Sequence, residues 1–245
     1  MNDKCICLIC YKPSDVWVDF LSKFTKYDVY LIVDDNSKDY KEQYSNFSNI
    51  NIIQINNEDC KSNGFFNMNY IMMKKDITSW DKSVYYFSTI NTKYDKVWFL
   101  EDDVFFYDEE TLVRLDSTYE NSDLLSQSYE GGKFTGDKNQ WMWKDIDIKF
   151  DPPYWSTMVC CVRMSSQLLS KIRNYANEHS TLFFIEALFP TICKRHNLNY
   201  DTPREMLNII YNRYYSDNEI DKNNIYHPVK DLNKHKYYRY MLNQE

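Results

Sequence analysis

The sequence predicts an α/β fold in which a mostly parallel central sheet is flanked by helices. Strand and helix patterns alternate over residues 1–106, which is typical of βαβ units. Three apolar runs, at 5–10, 29–33 and 97–100, have the length and the β-branched and aromatic content of strands buried on both faces. No linker rich in proline, glycine or serine interrupts the 245 residues, so a single domain is expected.

The first half of the chain is expected to supply four strands and two helices. A break at Pro13 ends the first strand, and Ser14 or Asp15 is expected to cap the helix that follows. Thr78 is expected to cap the second helix, and Gly64 lies in a polar stretch that is typical of a loop. The strands are expected at residues 5–10, 29–33, 50–55 and 97–100, the loop at 56–69 and the second helix at 77–92.

The second half is less regular. Residues 121–147 are polar and hold three of the four glycines, which predicts a long, loop-rich insertion. The apolar run within 154–163 is typical of a strand, and residues 165–177 have the spacing of an amphipathic helix. A further helix is expected up to His196, whereas no structure is assigned to the last thirty residues.

The composition excludes several classes of partner. A net charge of −7 argues against nucleic acid or an anionic membrane as the main partner. No apolar run approaches the roughly 20 residues of a membrane-spanning helix, and the short, acidic start is unlike a signal peptide. The seven cysteines form no regular framework, so reduced thiols and a cytoplasmic location are expected. Cys7 and Cys10 share a strand and point to opposite faces, which argues against a metal pair.

Glycine is scarce, and this restricts how the chain can bind phosphate. The four glycines lie at positions 64, 131, 132 and 136, and neither a Walker-type loop nor a G-x-G-x-x-G turn can be built from them. Neutralising a bound phosphate group would therefore require a metal ion and basic side chains.

Acidic residues follow directly after two of the predicted strands. Glu101, Asp102 and Asp103 end the fourth strand, and Asp34 and Asp35 end the second. Parallel strands end at the same edge of a sheet, where ligands bind, so the two groups are expected to lie together. Burying three adjacent carboxylates is costly without a cation, and their oxygens favour Mg²⁺ or Mn²⁺. The alternatives are an acidic surface turn after the fourth strand and a capping Asp-Asn-Ser turn after the second.

Other candidates lie in the second half of the chain. Glu186 stands in an apolar run, where burial would make it a general base, or it lies on the exposed stripe of a helix. His227 and Lys230 begin a basic stretch that suits a diphosphate, or a solvated tail. Trp141 and Trp155 offer flat faces for stacking on a sugar, or belong to the core. The basic stretch continues with Lys234, His235, Lys236 and Arg239.

Five short segments occur in a set order that spans most of the chain. They are Val33-Asp34-Asp35-Asn36-Ser37, Thr78-Ser79-Trp80-Asp81-Lys82, Leu100-Glu101-Asp102-Asp103, Glu186 with Phe189-Pro190-Thr191, and Tyr226-His227-Pro228-Val229-Lys230. In this order they resemble the motifs of GT-A-fold glycosyltransferases, including those encoded by large DNA viruses. The third segment resembles the family's DXD motif, with glutamate in its first position.

The resemblance implies a GT-A fold, with a Rossmann-like sheet and a smaller acceptor-side region. Residues 1–106 would form the nucleotide-binding half of a single domain 1–245, and residues 107–245 the acceptor-binding half and C-terminal tail. The implied activity is that of a hexosyl- or pentosyltransferase, which moves sugar from a nucleotide sugar, most often a UDP-sugar, to a hydroxyl of a glycan or glycoprotein. The implied cofactor is Mn²⁺ or Mg²⁺, and a viral member would act in the host cytoplasm.

The same resemblance assigns roles in binding the nucleotide. Tyr11 would stack on or flank the uracil, and Asp35 would form a hydrogen bond with its ring. Asp102 would hold the ribose, Lys230 would contact a phosphate, and Lys82 would contact the nucleotide.

It also assigns the metal ligands and the base. Asp103 and His227 would bind the metal ion, with Glu101 in support, although the glutamate in the DXD-like motif leaves open which acids touch the metal. Glu186 would be the catalytic base of an inverting enzyme, whereas a retaining enzyme would not require it.

Two other functions remain as alternatives. A sugar nucleotidyltransferase could use a related sheet, but would be expected to carry a glycine-rich N-terminal loop that this chain lacks. A non-catalytic module that binds a nucleotide or a sugar would share the site without the reaction.

Overall fold

A seven-stranded sheet forms the centre of the protein. The computed structural model describes residues 2–244, with the side chains of residues 129–131 left aside. The strands of this sheet are β1 (Lys4–Cys10), β2 (Asp28–Val33), β3 (Ile50–Gln54), β4 (Lys96–Glu101), β5 (Leu124–Lys133), β6 (Trp155–Ser165) and β7 (Tyr200–Asp201). Their order is β3-β2-β1-β4-β6-β5-β7. Four of the six strand pairs are parallel, and β6 runs antiparallel to both β4 and β5.

Helices cover both faces of the sheet. They are α1 (Asp15–Leu21), α2 (Tyr40–Gln43), α3 (Asn57–Ser62), α4 (Tyr70–Met73), α5 (Ser79–Tyr85), α6 (Glu109–Thr118), α7 (Ser166–His179), α8 (Ile185–Arg195) and α9 (Leu232–Asn243). A π-helical turn, Tyr86–Ile90, continues α5. The short strands β8 (Asn208–Ile209) and β9 (Tyr226–His227) pair separately. Within residues 2–244, no helix is both long and apolar enough to cross a membrane.

Alternation along the central strands divides the core into two layers. On β1, Cys7 packs in the layer on one face of the sheet, whereas Leu8 and Cys10 pack in the layer on the other. Successive strand residues point to opposite faces, so the expected separation of Cys7 from Cys10 is confirmed. All seven cysteines have free thiols.

The predicted helix starts near positions 14 and 78 are confirmed by their caps. The Ser14 hydroxyl accepts a hydrogen bond from the Trp17 amide at the start of α1. At the start of α5, Thr78 and Asp81 form a reciprocal capping box. Such caps satisfy amide groups that a helix leaves unpaired at its N-terminus.

The expected loop at 56–69 is wrong in part, because α3 lies inside it. The Asn56 side chain caps this helix by accepting from the Glu58 amide, and Glu58 and Asp59 lie in its first turn, where acids are favoured. Asparagine and aspartate are common in loops, but at this position they begin a helix.

The expected loop-rich insertion at 121–147 also contains regular structure. β5 occupies its first part, pairs with β6, and buries Leu124 and Leu125 completely. The stabilising partner is a strand some 30 residues away, so composition within the segment could not indicate it.

The C-terminal segment contains the helix α9. Two residues of its predicted basic patch, His235 and Arg239, pack into the interior. Nε2 of His235 lies 2.7 Å from the Val229 carbonyl oxygen, and the Arg239 guanidinium carbon lies 3.4 Å from the centre of the Phe20 ring. Burial lowers the pKa of His235 to about 4 and that of Arg239 to about 9. The interpretation of these two residues as part of a diphosphate-binding surface is therefore wrong.

Candidate active site

The two acid-bearing strand ends flank the end of β1. Parallel register pairs Cys10 with Val33 of β2 and Ile9 with Glu101 of β4. Asp34 and Asp35 and the residues 101–103 therefore lie at one edge of the sheet, as expected for parallel strands. In α/β proteins this edge is where ligands bind.

The end of β2 forms one wall of an open cavity of about 680 Å³. Asp35 accepts hydrogen bonds from the Tyr40 hydroxyl, at 2.6 Å, and from the Ser37 amide and hydroxyl. These bonds, led by that of Tyr40, lower the pKa of Asp35 to about 2. Tyr11 lines the same cavity and is 62% exposed. The cavity thus presents an aromatic face beside a fixed carboxylate.

Lys82 is buried behind this cavity. Its Nζ lies 2.8 Å from Oδ1 of Asp34 and 3.0 Å from the Asp34 carbonyl oxygen, and the side chain is 1% exposed. Lys75 pairs with the same carboxylate from the cavity side. Lys82 therefore positions Asp34, and its expected contact with a nucleotide stays a prediction.

Two tryptophans hold the acidic turn after β4. Nε1 of Trp80 donates to Oε1 of Glu101 at 2.7 Å, and Nε1 of Trp17 donates to the carbonyl oxygen of Asp102 at 2.7 Å. The side chains of Glu101 and Asp103 are 31% and 23% exposed, so both reach the solvent at this edge.

His227 closes the acidic turn from the C-terminal side. Its Nε2 lies 3.2 Å from Oδ1 of Asp103 and 3.8 Å from Oε2 of Glu101. Nδ1 lies 2.8 Å from the Ile210 carbonyl oxygen, a partner that fixes the ring and leaves Nε2 facing the carboxylates. The segment reaches this position because Tyr226 forms a bridge with Phe105, just beyond the turn.

The acids of the turn differ in their electrostatics. Burial and the charge of Asp103 raise the pKa of Glu101, and burial with both neighbours raises that of Asp102 to about 6. Burial alone would also raise the pKa of Asp103, but the hydrogen bond and charge of His227 outweigh it and lower the value. Like charges held this close favour a bound cation.

The donor groups at this turn fit a divalent metal ion. The carboxylate of Glu101, the thiol of Cys160 and the imidazole of His227 offer ligand atoms that all lie within 4.8 Å of one another. Asp103 adds a further carboxylate beside His227. The expected ligands Asp103 and His227, with Glu101 in support, are thus brought together in space.

Glu186 lies at the same opening. It is the second residue of α8 and lines a cavity of about 500 Å³ with Glu101, Asp103, His227 and Lys230. Burial, and then the charge of Glu101, raise the pKa of Glu186 to about 7. A carboxylate with this pKa is suited to accept a proton near neutral pH.

The two tryptophans expected to stack on a sugar lie outside this cavity. Trp141 packs against Trp143 and Phe184, with ring centroids 4.6 and 5.8 Å apart. The Trp155 amide donates to Thr191 on α8. Neither tryptophan lines the cavity, so their stacking role stays a prediction. The exposed apolar side chains that do line it are Met72, Met73 and Tyr211.

Four residues at or beside the site were missed from the sequence. Trp80 lies within one of the five short segments, but no neighbouring residue indicates its bond to Glu101. Cys160 lies in an apolar run whose pattern predicts only a strand, and the sequence around Tyr211 predicts no regular structure. The position of Trp17 in the apolar pattern of α1 predicts only a core residue. None carried a local signal, because each acts through a contact that is distant in the chain.

Comparisons with known proteins bear on the fold. No protein-family model matches the chain, and no curated protein matches its sequence. Among solved structures, an active-site mutant of LgtC is 11% identical, with a TM-score of 0.51, and the match covers 98% of this chain and 96% of that one. The chain has a GT-A fold. The predicted fold class is thereby confirmed, and at this identity the likeness extends to the fold alone.

Two weaker likenesses accompany this match. The galactosyltransferase LgtC in complex with donor and acceptor sugar analogues is 13% identical, with 98% and 96% of the two chains covered and a TM-score of 0.49. A 4-diphosphocytidyl-2C-methyl-D-erythritol synthase from Anaerococcus prevotii is 9% identical, with 98% of this chain and 97% of that one covered and a TM-score of 0.47.

Proposed function

We propose that this protein is a metal-dependent glycosyltransferase. It moves a sugar from a nucleotide sugar, foremost a UDP-sugar, to a hydroxyl of a glycan or glycoprotein. The observation that carries this proposal is the shared cavity of Glu186, Asp103 and His227, because a group suited to accept a proton and a candidate cation site then line one opening at the ligand-binding edge of a GT-A sheet.

The nucleotide would bind along the edge between the ends of β2 and β4. Tyr11 offers an exposed ring for the uracil, and Asp35 offers carboxylate oxygens to its ring N–H. Asp102 is the middle acid of the turn after β4 and would accept hydrogen bonds from the ribose. Lys230 lines the second cavity and would neutralise a phosphate.

Asp103 and His227 would hold Mn²⁺ or Mg²⁺, with Glu101 in support. The cation, when bound, neutralises charge on the diphosphate as it leaves the sugar. The chain has no glycine-rich phosphate loop, so Lys230 and this cation would share that task.

Glu186 would act as the general base of an inverting reaction. Its carboxylate removes the proton of the acceptor hydroxyl, the acceptor oxygen forms a bond to the anomeric carbon, and the bond from that carbon to the diphosphate oxygen breaks. The raised pKa of Glu186 suits this role, because the group is then basic enough to take the proton and still ionised near neutral pH.

A donor screen tests the proposal. The full chain is incubated with UDP- and GDP-sugars, with and without Mn²⁺, and release of the nucleoside diphosphate is recorded. We expect hydrolysis of at least one donor only with the cation, and loss of most turnover in Glu186→Gln. Nucleotide binding without turnover on any donor would favour a binding module. Turnover of a sugar 1-phosphate with a nucleoside triphosphate would favour a nucleotidyltransferase.

A further inference from the structure

We propose that Cys160 is a ligand of the cation site at the end of β4. The site would then combine carboxylate, imidazole and thiolate groups and bind Zn²⁺ or Co²⁺ more tightly than Mn²⁺ or Mg²⁺. The inference deepens the proposed function and rests on it for the presence of a cation at this turn.

The position of the thiol carries the argument. The ligand atoms of Glu101, Cys160 and His227 lie within 4.8 Å of one another. Ligands of one tetrahedral ion, at metal distances of about 2.0–2.3 Å, lie roughly 3–4 Å apart. Small side-chain movements therefore bring all three atoms onto one ion.

Sheet register explains why the thiol is there. In the antiparallel pair of β4 and β6, Leu100 is opposite Cys161, so the next step sets Cys160 opposite Glu101, the last residue of β4. Residues opposite one another in such a pair share a face of the sheet, with their Cβ atoms about 4.5–5.5 Å apart. The backbone thus pairs a thiol with the first acid of the turn.

An irregularity in β6 accompanies this placement. Leu125 of β5 pairs with Arg163, but Gln127 pairs with Met158, so β6 has five residue steps where β5 has two. Bulges of this kind redirect side chains and are common beside active sites. Cys160 lies within the irregular part and lines the cavity, whereas its neighbour Cys161 is fully buried.

Two of the three ligands are already held by the protein. Trp80 donates to Oε1 of Glu101, and the Ile210 carbonyl oxygen lies 2.8 Å from Nδ1 of His227. These partners leave Oε2 and Nε2 turned toward each other. Hydrogen-bond partners of this kind orient the side chains that bind a metal ion and raise the affinity of the site for the metal.

The chemistry of the ligand set determines the preferred metal. Thiolate and imidazole groups favour Zn²⁺ and Co²⁺, whereas carboxylates and water suit Mn²⁺ and Mg²⁺. On binding, the Cys160 thiol would form a sulfur–metal bond and release its proton to the solvent. Cys160 is half-buried whereas the other six cysteines are buried, so it should be the thiol that alkylating reagents modify first in the metal-free protein.

Spectroscopy with cobalt tests this assignment without an activity assay. Metal-free full-length protein is titrated with Co²⁺, and the near-ultraviolet sulfur-to-cobalt charge-transfer band is recorded beside bound cobalt measured by dialysis. We expect the band in the unchanged protein and its loss in Cys160→Ser, with Zn²⁺ affinity falling by about tenfold or more. Cys161→Ser, the same change at the buried neighbour, should keep both the band and the affinity.

A second measurement needs no variant. Zn²⁺ should protect Cys160 of the unchanged protein from iodoacetamide, as read by peptide mass spectrometry. Bound cobalt without the band, a band that persists in Cys160→Ser, or alkylation that Zn²⁺ does not slow would overturn the thiolate ligand while leaving a metal-dependent transferase in place. Failure to bind Co²⁺, Zn²⁺ and Mn²⁺, with UDP present and absent, would overturn both proposals.

Discussion

Nε2 of His227 lies 3.2 Å from Oδ1 of Asp103, and this contact joins the C-terminal segment to the acidic turn after β4. The amide of Val229 also donates to the Asp103 carbonyl oxygen, at 2.7 Å. The candidate metal site is thus assembled from two parts of the chain that only the folded structure brings together.

Cation binding at this contact should weaken as the pH falls. Burial alone would lower the pKa of His227, but the hydrogen bond and charge of Asp103 outweigh it and raise the value. A protonated imidazole cannot bind a metal, so affinity should decline from a pH above the ordinary histidine value of about 6.5. Calorimetry with Mn²⁺ between pH 5.5 and 8, run on the unchanged protein and on His227→Gln as the control, measures this. The variant should bind weakly and show a shallower dependence; equal profiles would remove His227 from the site.

The rate of transfer should fall on the acid side of neutrality. The pKa of Glu186 is raised to about 7, so the group is ionised above this pH and becomes protonated below it. Since a base must be ionised, kcat/KM should drop about tenfold for each pH unit below that value. A pH profile of donor turnover with a saturating cation checks this. A flat profile from pH 5 to 8, or near-normal turnover in Glu186→Gln, would remove Glu186 from the role of base.

Removing the buried lysine behind the β2 end should destabilise the fold. Lys82→Met leaves Asp34 without its buried partner, and loss of one member of a buried pair costs about 3–5 kcal/mol. Lys75→Met removes the exposed partner of the same carboxylate and should cost less than about 1 kcal/mol. Urea unfolding followed by circular dichroism compares the two free energies of unfolding. An equal loss of unfolding free energy in the two variants would show that the burial of Lys82 does not make its pair with Asp34 the stronger one.

Loss of the hydrogen bond from Trp80 to Glu101 should weaken cation binding more than it destabilises the fold. Trp80→Phe keeps an aromatic ring against Phe99 but removes the N–H donor, so the cation affinity should fall by about tenfold. Trp17→Phe removes the matching bond to the Asp102 carbonyl oxygen, which is no proposed ligand. That variant should keep the affinity within about twofold. Similar affinities for the two variants would contradict the positioning role of Trp80.

The sequence was informative where the signal is local. Apolar runs followed by acids placed the ends of β2 and β4 at one edge, because strand periodicity and the shared edge of parallel strands depend only on neighbouring residues. The caps at Ser14 and Thr78 were predicted for the same reason.

Contacts between distant segments were beyond such reasoning. β5 is stabilised by pairing with β6, and Cys160 reaches Glu101 only through the antiparallel register of β4 and β6. The basic C-terminal stretch predicts Arg239 to be a surface cation, but in the folded chain its guanidinium stacks on Phe20. Hydropathy and charge within a segment do not reveal its partners, so these features required the structure.

Calorimetry of UDP binding tests whether Asp103 holds a cation that the nucleotide requires. The unchanged protein and Asp103→Ala are titrated with UDP, with and without Mn²⁺. We predict cation-dependent binding in the unchanged protein and an affinity at least about tenfold weaker in the variant, because Asp103 is proposed to hold the cation that neutralises the diphosphate. UDP affinity that is the same with and without Mn²⁺, or unchanged in Asp103→Ala, would contradict a cation-dependent nucleotide site at Asp103.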